Sequence, residues 1–406
     1  MKQAAKNVES SPPGQILPDG SIISAMPGPS HSRRSAGRTR LDALTFLCRC
    51  LSVPREKRGA AQKLHRIVER GGVNIPTVIR VADENLMLPA FYRALRQNRL
   101  IGAMPSDIRE LLTGCYFLNQ KRTLGLKKQV LGIAKHFNNI GVEPVLLKGA
   151  NCLFSGLYPD PACRMMNDLD LLIPARTTEA CLSALRQHGY RKMLPLPTDS
   201  QPHHHSHPMV HKDHPARLEL HQEIASPAYT GLLTAETIYD QSIRIAENGI
   251  CYRLCSPSHF VIHNVIHHQL QSNLYRQREF HLYQIYDLYL LMNACQSEPD
   301  WAMIERLFRK YGHTHALCAA FVLIERLFRQ LPPPAIHATL PSRMNWYLIK
   351  AQWSQPPVIA YYLKILLHTM QSPENLKTFA RMLFCPQTYG KHLMRLKAYQ
   401  RRDDFR

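Results

Sequence analysis

Apolar residues recur at three- and four-residue intervals over two long parts of the chain, and this spacing predicts amphipathic helices. The first part runs from Leu41 to Gly141, where the sequence Asn-Asn-Ile-Gly indicates a helix end. The second part begins at Ser256, where Ser-Pro-Ser suits an N-cap followed by a first-turn proline. Helices are predicted at 41–51, 76–97, 107–141, 256–271, 280–296, 300–312 and 315–331.

The intervening residues follow another pattern. Short apolar runs at 143–149 and 168–173 predict two strands, joined by a short helix and a loop with two prolines. An amphipathic helix is predicted next, with Gly189 just past its end. Weaker strand signals follow at 190–194, 208–212 and 216–224. This alternation of strands and helices predicts a small α/β domain between two helical regions.

The ends of the chain differ in composition from its interior. The first forty residues are rich in proline, serine, glycine and arginine, which indicates a disordered leader. The predicted divisions are a leader (1–40), an N-terminal helical region (41–141), an α/β core (142–255), a C-terminal helical region (256–390) and a basic tail (391–406).

Three features bear on where the protein resides. The start of the chain has no apolar segment of the kind that a secretory signal contains. No run approaches the roughly 20 apolar residues that a membrane-spanning helix requires. The 11 cysteines are scattered without framework spacing, which favours reduced thiols. We therefore expect a cytoplasmic protein without a transmembrane segment.

The charge is strongly basic. The chain carries 51 Lys and Arg against 30 Asp and Glu, a formal net charge of +21. Such a surface suits anionic partners, with nucleotides and nucleic acids among them. Solubility alone explains the same charge equally well, and no RGG tract, RNP signature or zinc-finger motif decides between the two explanations.

Two carboxylates interrupt the apolar strand predicted at 168–173. Residues i and i+2 of a strand face the same side, so Asp168 and Asp170 point together. In the later segment "RLELHQEI" the same alternation sets Glu219 on a polar face. If the two strands are neighbours, three carboxylates converge and need cations to offset their repulsion. Carboxylate oxygens favour Mg²⁺ or Mn²⁺. Two such ions can activate an attacking oxygen and stabilise the leaving phosphate oxygen. An isolated Asp-x-Asp pair otherwise marks a strand-edge turn or a solvated face.

A glycine turn lies upstream of these acids, between the first predicted strand and the short helix. It consists of Lys148, Gly149 and Ala150. Glycine allows a close backbone approach, and a helix N-terminus offers N–H groups and partial positive charge to phosphate. Lys148 adds a point charge to the same place.

The segment "VLLKGANCLFSGLYPDPACRMMNDLDLLI", followed by "ALRQHGY" and "LELH", resembles the uncharacterised nucleotidyltransferase family of the DNA polymerase β-like superfamily. The resemblance extends weakly over most of residues 41–390. It implies an α+β fold, with a small mixed β-sheet nucleotidyltransferase (polymerase β-like) core flanked by N- and C-terminal helical regions.

The resemblance also implies roles for individual residues. Asp168 and Asp170 are expected to bind metal, with Glu219 as the third ligand, and all three are the predicted catalytic residues. Residues that match the family's pattern upstream are Lys148, Gly149, Tyr158 and Arg164, and we expect Lys148, Gly149 and Arg164 to bind the nucleotide. Ala150 stands where a serine often contacts the phosphates. This departure leaves open a nucleotide-binding protein that has lost catalysis.

Histidines form a second set of candidates. Those at 203–205, 207, 211 and 214 suit either a zinc site or a loop beside the active site. His221, on the same predicted face as Glu219, is a candidate acceptor contact or general base, or else an ordinary hydrogen-bonded strand residue. His263 and His267 lie one helical turn apart, but Asn264 replaces the glutamate that a metalloprotease requires.

We expect the helix that carries His267 to pack against the α/β core. His267, Arg278 and Asp287 are candidates to line the nucleotide or acceptor cleft there. Ordinary surface and packing roles suit Arg278 and Asp287 equally well. The predicted reaction moves a nucleoside monophosphate from a nucleoside triphosphate, such as ATP, to a hydroxyl, with two Mg²⁺ or Mn²⁺ ions. The acceptor is a small molecule, a sugar, a protein or an RNA, and RNA modification stays open as an alternative. The sequence does not predict the oligomeric state.

Overall fold

The computed structural model describes residues 39–52, 58–193, 208–294 and 298–355. Its helices are α1 (Arg40–Ser52), α2 (Arg58–Glu69), α3 (Ile75–Glu84), α4 (Leu88–Gln97), α5 (Ser106–Asn138), α6 (Lys148–Phe154), α7 (Thr178–Gln187), α8 (Ala235–Asp240), α9 (Pro257–Val265), α10 (Leu274–Gln277), α11 (Leu282–Met292), α12 (Trp301–Lys310), α13 (Thr314–Phe328) and α14 (Leu340–Ser354). Its strands are β1 (Val145–Leu146), β2 (Asp168–Leu172), β3 (Arg191–Lys192), β4 (Met209–Val210), β5 (Arg217–His221), β6 (Ile243–Glu247) and β7 (Ile250–Leu254).

The strands form one mixed sheet in the order β3-β4-β5-β2-β1-β7-β6. The pairs β2–β5 and β1–β7 are parallel, and the remaining pairs are antiparallel. Because parallel and antiparallel pairs share a sheet covered by separate helical segments, the predicted α+β class is confirmed.

The hairpin of β6 and β7 is an addition to the sequence prediction. Its turn is Asn248-Gly249, and both residues have positive φ, at 51° and 76°. A two-residue turn in which both residues have positive φ matches the twist of the flanking strands, and for this reason Asn-Gly is a strong hairpin signal. The hairpin matters because β7 extends the sheet beside β1.

The stretch predicted as helical at 76–97 is divided into α3 and α4. Leu86 adopts a φ of 56° between them, and Pro89 lies in the first turn of α4. Proline is favoured there because its missing N–H has no helical partner to lose, whereas farther inside a helix it would break the hydrogen-bond ladder.

Helix α5 joins two hydrophobic cores. Near its start, Leu112 packs into a core formed by helices from both ends of the described chain, including Leu47 of α1 and Phe321 of α13. Nearer its end, Val130 packs into the core of the sheet together with Leu169 of β2. The predicted domain boundaries remain a prediction, but the two helical regions share this first core.

Polar side chains of α5 hold the segments that lead into β2 and β5. Asn119 donates a 2.7 Å hydrogen bond to the carbonyl of Ala162. The amide of Gln129 pairs with both backbone groups of Ala216, at 2.8 and 3.2 Å. Buried backbone groups need such partners, so α5 fixes where both strands begin.

Two further observations concern the whole described chain. No described helix is both long and apolar enough to cross a membrane. The nine cysteines within the described residues are all free thiols, and all but Cys251 are buried.

Candidate functional site

The parallel register of β2 and β5 brings the predicted acids together. Asp168 lies opposite Arg217, and Asp170 lies opposite Glu219. Partners in adjacent strands face the same side of a sheet, so the polar residues of both strands share one face. The intervening leucines, Leu169 and Leu171 of β2 and Leu218 and Leu220 of β5, are buried in the sheet core. The two strands are therefore neighbours, which is the condition for their carboxylates to lie close together.

Asp170 is the centre of this face and is only 3% exposed. Its Oδ1 lies 2.6 Å from Nζ of Lys148 and 2.7 Å from Nε2 of His221. Burial alone would raise the pKa of this carboxyl, but Lys148 and His221 hold it well below its usual range. Asp170 is therefore a carboxylate at neutral pH, even though it is buried.

Arg217 links the other two carboxylates. Its Nη2 lies 3.0 Å from Oδ2 of Asp168, and its Nε lies 3.5 Å from Oε1 of Glu219. Both Arg217 and Asp168 are partly exposed, and such ion pairs contribute little to stability and exchange readily. Arg217 was not among the predicted site residues. The two-residue period of β5 puts it on the polar face, and its register opposite Asp168 makes it part of the site.

The donor set suits a divalent cation. One ligand atom from each of Asp170, Glu219 and His221 lies within 4.8 Å of the other two. Two carboxylates and an imidazole are common ligands of divalent metals. Asp168 lies outside this group of three. It precedes Asp170 by two residues on β2 and lies opposite Arg217. The residues present therefore fit a metal ion, and Asp168 borders it.

Lys148 and Gly149 lie at the start of α6, directly after β1, where the glycine turn was predicted. Lys148 adopts a φ of 45°, an uncommon conformation for a residue with a side chain and one that often marks functional sites. Burial alone would lower the pKa of the Lys148 ammonium, but Asp170 more than offsets this and raises it. Lys148 is therefore a permanent positive charge beside Asp170.

Gly149 has a packing role that the structure makes specific. A β-carbon at this position would lie 3.3 Å from Cβ and from Sδ of Met166, a residue just before β2. The absent side chain lets the α6 turn pack closely against the entrance to β2. Whether Gly149 also contacts phosphate stays a prediction.

Arg164 lies in a buried ion pair. Its Nε and Nη2 each lie 3.0 Å from an oxygen of Asp287, a residue of α11. Tyr158 donates a 2.6 Å hydrogen bond to the same carboxylate, and the Arg164 guanidinium stacks 4.5 Å above the ring of Tyr283. Burial alone would lower the pKa of Arg164, but the charge of Asp287 more than offsets this, so the pKa lies above its usual value. The predicted phosphate contact of Arg164 stays a prediction, and its observed partner is Asp287.

A small cavity lies between Lys148, this ion pair and the helices α9 and α11. Its lining residues are Lys148, Arg164, Phe260, His263, Asn264, His267, Gln284 and Asp287, and its volume of about 20 Å³ is enough for roughly one water molecule. Two of the three residues predicted to form a cleft, His267 and Asp287, line it. The third, Arg278, is not among the lining residues and donates a 2.6 Å hydrogen bond to the carbonyl of Tyr275.

His267 belongs to a π-helical segment, 266–271, that continues α9. Such segments are rare and frequently occur at functional sites. Burial, and then the charge of Lys148, lower the pKa of His267 well below its ordinary value. His267 is therefore a neutral imidazole at the cavity.

The histidine-rich segment is only partly described. Residues 203–205 and 207 lie outside the described residues. His211 and His214 have ring centroids 4.5 Å apart and pack on Tyr190, at the β3–β4 edge of the sheet. Within the described chain they do not join a third ligand to form a metal site.

A mixed sheet that carries paired carboxylates on adjacent strands, beside a lysine at a strand–helix turn, is consistent with the fold of the nucleotidyltransferase class. A family model described as an uncharacterised nucleotidyltransferase matches residues 71–329, which is more than half of the chain. The chain belongs to this uncharacterised nucleotidyltransferase family, as the sequence resemblance predicted. No curated protein and no solved structure matches the chain.

Proposed function

We propose that the protein transfers a nucleoside monophosphate from a nucleoside triphosphate to an acceptor hydroxyl and releases pyrophosphate. The observation that carries the proposal is that Asp168, Asp170 and Glu219 share one face of the adjacent strands β2 and β5. Membership of the nucleotidyltransferase family supports the same reaction class.

The carboxylates would hold the divalent ions, Mg²⁺ or Mn²⁺. When bound, such ions activate an attacking oxygen and stabilise the charge on the leaving phosphate. Asp170 and Glu219 are the least exposed of the three acids and would bind most firmly, while Asp168 offers oxygens on the solvent side. Bound ions would replace the contacts that Lys148 and Arg217 make to these carboxylates, and the side chains of Lys148 and Arg217 would then be free to contact the triphosphate.

The acceptor would approach from the side of the His267 cavity. This cavity adjoins Lys148, and its polar lining offers hydrogen-bond partners to a hydroxyl. Asn264 has a buried amide oxygen without a hydrogen bond in the described chain. Such a group favours a polar ligand or a water molecule. The acceptor is a small molecule, a sugar, a protein hydroxyl or an RNA end.

The test is incubation with each of the four NTPs, labelled on the α-phosphate, with Mg²⁺ or Mn²⁺ and with pools of small molecules, cellular protein and RNA. Wild-type protein should label one pool, and the double variant Asp168→Asn/Asp170→Asn should not. The matched control is Glu223→Gln, which removes an exposed acid just beyond β5. If wild type and the double variant label every pool alike, the catalytic proposal fails.

A second candidate is a nucleotide-binding protein without catalysis. The observation that favours it is that Lys148 and Arg217 already contact all three carboxylates, so the site is partly neutralised without a metal ion. Ala150, in place of a phosphate-binding serine, points the same way. Tight NTP binding without label transfer to any pool would support this candidate. Transfer restricted to the RNA pool, together with RNA binding that weakens steeply with salt, would instead identify an RNA-modifying enzyme.

A further inference from the structure

We infer that His221 is itself a metal ligand, and that with Asp170 and Glu219 it forms a site that prefers a first-row transition-metal ion over Mg²⁺. The inference rests on the proposed function and adds to it the identity of the ion. It assigns to His221 a different role from the acceptor contact or general base suggested by its sequence position.

The position of His221 in the sheet carries the first argument. It follows Glu219 by two residues on β5, so both side chains leave the same face. The residue is 1% exposed, and its Nε2 lies 2.7 Å from Oδ1 of Asp170. Two ligand atoms that each lie about 2.1 Å from one ion are roughly 3.0–3.4 Å apart, so these two atoms need to separate by only a few tenths of an ångström to share an ion. The imidazole is therefore already placed close to the position of a second ligand beside the carboxylate oxygen.

The mixture of donor atoms carries the second argument. Carboxylates alone suit Mg²⁺, Ca²⁺ and Mn²⁺, whereas an imidazole suits transition metals and adds little for Mg²⁺. A set of two carboxylates and one imidazole therefore favours Mn²⁺ and its neighbours in the first row. In the hydrogen bond to Asp170 the ring proton is on Nε2, because the carboxylate can only accept. With the proton on Nδ1 instead, His221 would offer the Nε2 lone pair to an ion, which would take the place of this hydrogen bond.

The arrangement of the remaining charges agrees with this assignment. Asp168 lies outside the group of three ligands and contacts Arg217 on the solvent side. A transition-metal site formed by Asp170, Glu219 and His221 leaves Asp168 to serve a second, more exposed position. Lys148 contacts the same oxygen of Asp170 as His221 does, so an entering ion competes with one ammonium group.

The test uses the full chain loaded with one equivalent of Mn²⁺ and electron spin-echo envelope modulation, which detects nitrogen bound to the ion. Wild-type protein should show ¹⁴N coupling, and protein grown with ¹⁵N-histidine should show the ¹⁵N pattern instead. His221→Gln, which keeps a hydrogen-bond donor for Asp170, should lose the coupling and bind Mn²⁺ at least about tenfold more weakly. The control His267→Gln alters the neighbouring cavity histidine and should keep the coupling.

The outcomes separate this inference from the proposed function. Mn²⁺ bound without nitrogen coupling, but lost on Asp170→Asn, overturns the role of His221 and leaves the carboxylate site intact. Mn²⁺ binding that is absent in wild type, or unaffected by Asp170→Asn, overturns both. If His221→Gln does not fold, the ¹⁵N pattern of wild type together with retained coupling in His267→Gln still identifies a histidine ligand other than His267, and absence of nitrogen coupling in wild type still overturns the inference.

Discussion

The buried pair of Arg164 and Asp287 leads to the most quantitative prediction. The pair joins the loop before β2 to α11 through two 3.0 Å contacts, and its side chains are 6% and 4% exposed. Asp287→Ala leaves the guanidinium buried without its counter-charge and also removes the acceptor of the Tyr158 hydroxyl. Breaking one side of such a pair costs about 3–5 kcal/mol of the free energy of unfolding.

The double variant Arg164→Met/Asp287→Leu should be much closer to wild type, because it removes both charges and fills a similar volume. The loss of unfolding free energy in the double variant should therefore be much smaller than the sum of the losses in the two single variants. Chemical denaturation of wild type, Arg164→Met, Asp287→Leu and the double variant, followed by circular dichroism, measures these differences. Arg309→Met removes the exposed partner of Glu305 and should change stability far less.

The reasoning is refuted if Asp287→Ala costs less than about 1 kcal/mol, or if the losses of the two single variants simply add in the double variant. In that case the guanidinium does not depend on Asp287, and the phosphate-contact role predicted for Arg164 becomes the better account. If the reasoning holds, loss of activity in Arg164 variants has to be corrected for their loss of folded protein.

Three further predictions concern stability. Gly149→Ala should destabilise the protein by up to about 1 kcal/mol, because the new methyl group meets the β-carbon of Met166 at 3.3 Å, and the loss should be smaller in a Met166→Ala background than in wild type; thermal melts of the four proteins measure this. Asn119→Ala should cost about 1–3 kcal/mol in denaturant titrations, since the buried carbonyl of Ala162 loses its 2.7 Å donor, and a negligible loss would contradict that bond. Burial lowers the pKa of His268 well below 6.5, so this histidine binds a proton more readily in the unfolded chain than in the folded one. The free energy of unfolding should therefore be highest above about pH 6.5 and should fall as the pH decreases below that value. Denaturant titrations at several pH values should show a shallower fall for His268→Gln.

Much of the site was predictable because its signals are local. Asp168 and Asp170 share a face through the two-residue period of a strand, and Glu219 follows from the same period in β5. The pairing of these strands followed from the family resemblance and not from the period. The Asn248-Gly249 turn of the β6–β7 hairpin is a local signal of the same kind, although the hairpin was not among the predicted strands.

Contacts between distant segments were not predictable in this way. Arg164 and Asp287 are 123 residues apart, and no periodicity relates one to the other. The contact of Arg217 with Asp168 depends on the exact register of two strands, which alternation leaves undetermined. The closeness of His221 to Asp170 depends on the same register, and for this reason the sequence left its role open.

The position of the transferred label tests the central claim most directly. Purified protein would be incubated with the NTP and the acceptor pool that give transfer, with the phosphorus label on either the α- or the γ-phosphate. We predict that the α-label appears on the acceptor and the γ-label in pyrophosphate, with both lost in Asp168→Asn/Asp170→Asn. Transfer of the γ-label to the acceptor, or its release as inorganic phosphate alone, would contradict nucleotidyl transfer.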